Sequence, residues 1–473
     1  MTAERDTAGS ALTTAEIEAL LAPLAAWPLV MLAVSGGPDS LALLHIYARW
    51  RTLGGAAGQS AIVATVDHGM RPEARAEAEF VASQAQSLGL AHETLAWLGG
   101  KPSSGRQQAA RVARYQLMGE RLARENATPR AIVTAHTLDD QAETVLMRLA
   151  RGSGLDGLAA MTPQRNLTPG SDISIVRPLL GVPGARLKAT LRAQGRTWIE
   201  DPSNRDPAYE RVRLRERRTA AEACGLTSEA LGLAAHRMQR AQSALEAATS
   251  ALEVEAASIT PGIATTFARK PFERAPFELR LRLLSRALIR CGGNHPAARL
   301  TEIERLVERL DAMTGAATLG GCLITPGTGE IAIIREPGRN GLEAIVLKPG
   351  MVAIWDNRFE ASLAAGAPAP VTVRAMTPGV WCQFKVQLAR PRAISKAAAL
   401  TLPAFWHGDD LVALPSPGAL LDSASGRHIA CITPDDLANQ DSQAMASYCS
   451  LQPYAGRGRV GPNLAEKAWD KPV

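Results

Sequence analysis

The segment 35–40, which reads Ser-Gly-Gly-Pro-Asp-Ser, constrains the fold of this chain more than any other stretch. The apolar run 29–34 before it is long enough for one buried strand, and a helical pattern follows it. Two adjacent glycines let the backbone turn sharply and approach a ligand, while Pro38 suits the first turn of a helix. A strand, a glycine turn and a helix N-terminus in this order favour an anion, above all phosphate. An ordinary glycine turn of an α/β domain explains the loop alone equally well.

Length and composition limit the classes of protein to which the chain can belong. With 473 residues, 46% hydrophobic and 21% charged, it should form two or three globular domains. The net charge of +6 is compatible with a nucleic-acid partner but is no evidence of one. The six cysteines all lie beyond residue 223 and form no C-x-x-C pair, which indicates neither disulfides nor a zinc site and favours a reducing cytoplasm.

The N-terminus and the hydropathy pattern also favour a cytoplasmic protein. Acidic residues precede any apolar run, which argues against a signal peptide, and no apolar run reaches membrane-spanning length. The sequence therefore predicts a cytoplasmic protein without a membrane partner. A homodimer is compatible with the sequence, which does not determine the oligomeric state.

Three parts of the chain differ in pattern. In residues 1–220, short apolar strands alternate with helical segments, which predicts an open parallel sheet in an α/β nucleotide-binding domain. Helical periodicity dominates residues 221–315, which we predict to form a helical middle domain. Residues 316–473 carry short strand patterns, including 352–363 and 380–384, and predict a smaller C-terminal α+β domain.

Polar side chains follow two of the predicted strands, where ligands bind in parallel sheets. Asp67 and His68 follow the strand 61–66, although a helix cap and turn explains these two residues better when they are considered alone. A denser polar group follows the strand 131–135 and consists of His136, Asp139, Asp140, Gln141 and Glu143. Capping of a helix N-terminus accounts for one acid, but not readily for the whole group. Paired carboxylates beside a phosphate loop could hold Mg²⁺ or an amine, and both suit ATP chemistry.

Arginines are concentrated in two predicted helices. Arg111 and Arg114 lie three residues apart, so one face of the helix 105–126 can present two guanidinium groups. Residues 205–218 contain six arginines, which suit a phosphate-backbone track and a solvated linker helix equally well.

The loop 35–40 is neither a Walker A motif, because no Gly-Lys-Ser/Thr follows, nor a G-x-G-x-x-G fingerprint. It resembles the PP-loop, S-G-G-x-D-S, of the N-type ATP pyrophosphatases. Members of that family cleave ATP between the α and β phosphates and transfer AMP to an oxygen of the substrate. The resemblance implies that residues 1–220 form an adenylating domain.

Further segments narrow the resemblance to the tRNA(Ile)-lysidine synthetase family. They follow the family's order through residues 30–215, and they are 67–71, 110–115, 136–144, 151–154, 157–158, 177–180 and 198–204. The cysteine pairs typical of tRNA thiolation enzymes are absent, and the chain has no cysteine before Cys224 to serve a glutaminase module. Two departures stand out. Val212 follows Arg211 where the family usually has Asn, and the C-terminal half resembles the family only loosely.

The family resemblance implies a two-step ligation. ATP adenylates the C2 oxygen of the wobble cytidine in a tRNA(Ile) with a CAU anticodon and releases pyrophosphate. The ε-amine of free L-lysine then attacks C2, AMP leaves, and the lysidine product decodes AUA instead of AUG. Residues 316–473 would then contribute to tRNA recognition.

The same resemblance implies roles for the singled-out residues. It assigns ATP contacts to the loop 35–40 and to the two polar residues after the strand 61–66. These residues are Ser35, Gly36, Gly37, Pro38, Asp39, Ser40, Asp67 and His68. Asp39 could also hold Mg²⁺, and Arg111 or Arg114 could stabilise the transferring phosphate. Asp140 and Glu143 would bind the lysine ammonium, with His136 or a carboxylate as base. The alternatives are another PP-loop tRNA-modifying enzyme, such as a thiolase, and a non-catalytic tRNA-binding homologue.

Overall fold

The computed structural model describes residues 9–69, 73–102, 105–168, 170–200, 213–215, 217–293, 296–388, 394–415, 431–432 and 449–454. The described chain separates into two compact units, one ending at Ser243 and the other beginning at Ala244. The division into three domains at residues 220 and 315 remains a prediction.

The first unit is built on a largely parallel sheet. Its strands are β1 (Leu29–Ala33), β2 (Ser60–Asp67), β3 (Ala91–Ala96), β4 (Arg130–Val133), β5 (Gln164–Asn166) and β6 (Ile173–Val176). They lie in the order β3-β2-β1-β4-β6-β5. Adjacent strands in this order run parallel to each other, except that β5 is antiparallel to β6. The carboxyl ends of β1, β2 and β4 therefore meet at one edge of the sheet, which confirms the predicted α/β class.

The helices of this unit are α1 (Thr14–Leu21), α2 (Pro38–Thr52), α3 (Ala74–Ser87), α4 (Arg106–Leu122), α5 (Leu138–Ala150), α6 (Leu155–Leu158), α7 (Gly184–Ala193), α8 (Arg218–Ala223) and α9 (Ser228–Ala256), the last of which continues past Ser243. Helices α1, α2, α3 and α7 pack on one face of the sheet, and α4 packs on the other. A 3₁₀ turn, Ala22–Ala26, follows α1.

Strand β1 alternates between two hydrophobic clusters. Val30 and Leu32 pack in the cluster that contains residues of α1, α2 and α7, whereas Leu29 and Met31 pack in the cluster that contains residues of α4. Side chains of a strand point to opposite faces in turn. A strand buried on both faces is typical of parallel sheets, and this burial fixes β1 at the centre of the unit.

The second unit begins with a sheet covered by helices. Its strands are β7 (Ala257–Thr260), β8 (Ala264–Ala268), β9 (Ala317–Leu319), β10 (Cys322–Pro326) and β11 (Glu330–Arg335), in the order β7-β8-β11-β10-β9. Its helices are α10 (Arg269–Arg274), α11 (Phe277–Cys291) and α12 (Leu300–Leu310). One hydrophobic cluster joins these helices to the sheet.

Two further sheets follow in the same unit. The elements are β12 (Ile345–Leu347), β13 (Val352–Trp355), β14 (Phe359–Leu363), β15 (Val371–Ala375), α13 (Pro378–Leu388), α14 (Lys396–Ala399), β16 (Pro403–His407), β17 (Asp410–Pro415), β18 (Cys431–Ile432) and β19 (Cys449–Pro453). The sheets have the orders β12-β15-β16-β17-β18 and β13-β14-β19.

Three local predictions for the second unit need correction. Strands β7 and β8 lie inside the region predicted to be helical, because their short polar sequences show no clear strand period. Residues 352–363 form two strands rather than one, since Asp356 and Asn357 adopt positive φ angles (46° and 52°) and make a tight turn. Residues 380–384 are helical, because Pro378 opens α13.

Among the helices described, none combines the length and the apolar character that crossing a membrane requires.

Candidate active site

The loop between β1 and α2 is held by the hydroxyl of Ser40. The Ser35 N–H donates to Ser40 Oγ over 3.1 Å, and Ser40 Oγ donates to the Gly37 carbonyl over 3.0 Å. Gly37, the residue before α2, carries no side chain that could cap the helix. The first N–H groups of α2 therefore remain available to an anionic ligand.

The backbone conformation at position 36 requires glycine. Its φ is +86°, and a Cβ built there would lie 2.9 Å from Ile199 Cδ1. The Ile199 N–H also donates to the Gly36 carbonyl over 3.0 Å. The segment around Trp198, which carries part of the family resemblance, thus packs on the PP-loop.

We expect Gly36→Ala to destabilise the protein by roughly 1–3 kcal/mol and to weaken ATP binding at least tenfold, because alanine is strained at positive φ. Gly37→Ala is the matched control, since Gly37 has an ordinary φ of −69° and its nearest obstacle, Ser35 Oγ, is 3.9 Å from the added Cβ. Denaturant unfolding and nucleotide titration measure both effects. Equal losses of stability in the two variants would show that the positive φ is not the cause.

The acidic group after β4 opens helix α5. The Thr137 N–H donates to Asp140 Oδ2 over 2.8 Å, and the Asp140 N–H donates to Thr137 Oγ1 over 3.4 Å. Asp140 therefore completes a reciprocal cap and is the one acid that capping explains. Its other oxygen, Oδ1, lies 4.0 Å from the guanidinium of Arg215.

Glu143 is buried one turn further along α5 and is paired with Arg215. Only 8% of the residue is exposed. Its Oε1 accepts from Arg215 Nε over 2.5 Å, and its Oε2 accepts from Nη2 over 3.4 Å. Arg215 thus contacts the two carboxylates predicted to bind an amine, although the sequence had indicated it only as a member of a basic run.

Asp139 joins three helix starts. Its Oδ2 accepts the Gly184 N–H over 2.9 Å, and its Oδ1 accepts from the Ser228 hydroxyl over 3.0 Å and pairs with Arg218 over 2.8 Å. With these partners Asp139 ties α5 to the first turns of α7, α8 and α9. This is a structural role.

Asp39 lies in the first turn of α2, among the other acids. Burial raises the pKa of Asp39 to about 6, with further increases from the charges of Asp140 and Asp139, while Lys188 and Arg215 act in the opposite direction. Its Oδ1 is buried and has no hydrogen-bond partner within the described part of the chain. A buried carboxylate oxygen without a hydrogen-bond partner is suited to binding a cation.

Gly184 keeps the space beside Asp39 open. A Cβ at Gly184 would lie 3.5 Å from Asp39 Oδ1 and 3.0 Å from Asp139 Oδ2. One turn later on the same helix α7, Lys188 is close enough to lower the pKa of Asp39. No sequence motif had indicated Gly184 or Lys188.

A second group of predicted site residues lies at the end of β2. Asp67 Oδ1 accepts a hydrogen bond from the Gly69 N–H over 2.7 Å. Asp67 therefore forms a local turn, and this turn is sufficient to explain an aspartate at this position. His68 meets the Trp97 ring edge-on, with 5.9 Å between centroids. Neither ring nitrogen of His68 has a hydrogen-bond partner among the residues that the structure describes.

His68 is neutral at physiological pH. Burial lowers the pKa of His68 to about 4, and the positive charge of Arg114 lowers it further. A neutral imidazole with two unsatisfied nitrogens can both donate to and accept from a ligand.

The remaining predicted residues have distinct surroundings. The Arg111 guanidinium lies over the Tyr115 ring, 5.4 Å from its centroid. Arg114 is exposed, and its charge lowers the pKa of His68. His136 Nδ1 lies 2.8 Å from Thr134 Oγ1. These contacts do not choose between Arg111 and Arg114, and both roles remain predictions.

The structure therefore brings the predicted residues together in two groups. Asp39 and Asp140 repel each other, and Asp39, Asp140 and Glu143 each interact with Arg215, at the ends of β1 and β4. Asp67, His68 and Arg114 interact at the end of β2. Within the described ranges, no three His, Cys, Asp or Glu side chains are arranged to hold a metal ion by themselves.

Comparison with known proteins gives consistent results. Residues 12–221 match a family model described as a PP-loop domain. A tRNA(Ile)-lysidine synthase from Bradyrhizobium sp. (strain BTAi1) is 45% identical over 318 residues, which cover 66% of this chain and 87% of that protein. The corresponding synthase from Rhodopseudomonas palustris is 42% identical, with coverage of 70% and 97%, and that from Ruegeria pomeroyi is 37% identical, with coverage of 82% and 88%.

Among solved structures, the U34-tRNA thiolase NcsA from Methanococcus maripaludis is 15% identical, with a TM-score of 0.39 and coverage of 48% of this chain and 78% of that one. This likeness is too low to carry an argument.

Proposed function

The chain belongs to the tRNA(Ile)-lysidine synthase family, and from this premise we propose that it ligates L-lysine to the wobble cytidine of a tRNA(Ile) with a CAU anticodon. Its PP-loop domain uses ATP. The observation that supports this function best is the group of Asp39, Asp140 and Glu143 beside the PP-loop. One carboxylate at the helix start after the PP-loop and two on the neighbouring helix α5 suit a reaction that joins a nucleotide and an amine.

In the first step, the PP-loop holds the ATP phosphates. The N–H groups of α2 and the hydroxyl of Ser35 donate to phosphate oxygens, and the Ser40 hydroxyl joins them once it releases the Gly37 carbonyl. The C2 oxygen of cytidine attacks the α phosphorus, the bond between the α and β phosphates breaks, and pyrophosphate leaves. Arg111 or Arg114 stabilises the charge that develops on the transferring phosphate.

Asp39 fits a role in binding Mg²⁺. Its buried Oδ1 is unpartnered within the described residues, and its raised pKa shows that the site disfavours an uncompensated charge. Because the described side chains form no complete metal cluster, water and phosphate oxygens would supply the other ligands. When bound, the cation offsets the charge on the pyrophosphate.

In the second step, Asp140 and Glu143 hold the lysine ammonium. The amine loses a proton to a carboxylate or to His136 and attacks C2. A C–N bond forms, the C–O bond to the adenylate breaks, and AMP leaves. The product decodes AUA rather than AUG. Asp67 and the neutral His68 line the adenosine or lysine pocket.

The test is incubation of the purified protein with ATP, Mg²⁺, lysine and a CAU-anticodon tRNA(Ile), followed by nucleoside mass spectrometry. We expect a cytidine that has gained the mass of lysine minus water, together with pyrophosphate. A gain of sulfur would instead favour a thiolase, and tRNA binding without any product would favour a non-catalytic homologue.

Three further predictions accompany this function. Residues 316–473 contribute to tRNA recognition, the protein acts in the cytoplasm, and a homodimer is compatible with the site. Truncation, cell fractionation and light scattering test them in turn.

A further inference from the structure

Arg215 lies where the substrate amine is proposed to bind. Its guanidinium pairs with buried Glu143 over 2.5 Å and lies 4.0 Å from Asp140. The Arg215 side chain is 46% exposed, whereas the side chains of Glu143 and Asp140 are 10% and 16% exposed. The cation thus approaches from the open side, onto carboxylates that are themselves largely covered.

The charges around this site make a resident cation favourable. Asp39, Asp139 and Asp140 lie in the first turns of α2 and α5, and Glu143 follows one turn later on α5. Burial makes an uncompensated charge on Glu143 costly, and Arg215 supplies a compensating charge.

Arg215 and a lysine ammonium cannot make the same contacts at once. Two cations sharing the covered oxygens of Glu143 would repel each other. The substrate must therefore take the place of the guanidinium.

We propose that Arg215 is the resident counter-ion of the amine site and competes with lysine for Glu143 and Asp140. This inference rests on the proposed lysine-binding role of those two acids. Arg215 then lowers the apparent affinity for lysine by the fraction of time that it occupies the site. It also excludes amines whose other contacts are too few to displace it.

Lysine titration calorimetry on the full chain tests the competition. We expect Arg215→Gln to lower the lysine Kd about fivefold, which is the upper end of what exposed ion pairs contribute. Arg215→Lys, which keeps a cation, should bind lysine as the native protein does, within threefold. Millimolar guanidinium chloride should weaken lysine binding to Arg215→Gln and leave the native protein unaffected.

Arg218→Gln is the matched control. Arg218 is equally exposed (47%) and pairs with Asp139, an acid of the same helix outside the proposed amine site. We expect its lysine Kd to change less than twofold. Thermal unfolding of each variant verifies that it is folded.

The outcomes separate this inference from the function on which it rests. Unchanged or weaker lysine binding in Arg215→Gln, with binding lost in Glu143→Gln, would overturn the competition and keep the lysine site. Equal binding of lysine by the native protein, Arg215→Gln and Glu143→Gln would overturn both.

Discussion

Asp39→Asn should make the protein more stable at pH 7.5 while it abolishes pyrophosphate release. The pKa of Asp39 is raised from 3.8 to about 6 by burial and by Asp140. The folded state therefore binds the proton more tightly than the unfolded state, so stability falls as the pH rises from about 4 to about 6. Asparagine carries no charge, so the substitution removes the cost of burying the Asp39 carboxylate. We expect this cost to be about 2 kcal/mol after screening by water.

The gain in stability should depend on pH. We expect it to be full above pH 7 and to vanish below about pH 3, where Asp39 is protonated in both states. Denaturant unfolding at several pH values measures it. Asp172→Asn is a control, because this exposed aspartate pairs with Arg130 over 3.2 Å and its loss should give no gain.

The same variant should lose at least 100-fold in the rate of pyrophosphate release, because asparagine cannot supply the charge that holds a cation against the phosphates. Such a pairing of higher stability with lower activity is expected where an active site stores unfavourable charge. A pH-independent stability change would contradict the raised pKa, and release at more than a tenth of the native rate would contradict the role of Asp39.

Glu143→Gln should separate the two half-reactions. We expect kcat/KM for lysine to fall about 100- to 1,000-fold, since a buried carboxylate that pairs with a cation is worth several kcal/mol. The first turnover of pyrophosphate release, which does not require the amine, should stay within threefold of the native rate. Quenched-flow assays with and without lysine measure both quantities.

Glu143 is a cleaner target than Asp140. Asp140 Oδ2 also caps α5, so Asp140→Asn would change the helix start as well as the charge. Glu222→Gln provides the control, because Glu222 pairs with Arg218 on the half-exposed helix α8. Parallel loss of both half-reactions in Glu143→Gln would indicate a damaged fold or a shared role, and would refute lysine recognition by this residue.

The sequence predicted the parallel sheet and the position of the PP-loop because both depend on local patterns. Apolar runs of strand length and two glycines before Pro38 are features of neighbouring residues. Local patterns failed where tertiary packing decided the outcome. The strands β7 and β8 formed by pairing within a larger sheet. The helix at residues 380–384 is a different case, because its signal, Pro378, is local.

The sequence by itself determined which acids, glycines and hydroxyls reach the end of the sheet, since a strand delivers the residues that follow it to one edge. Only the tertiary structure decided how they are paired and charged. Arg215 meets Glu143 across 72 residues, and Gly184 meets Asp139 across 45. Such contacts, and the burial that raises the pKa of Asp39, depend on which helices pack side by side, and no local pattern carries that information.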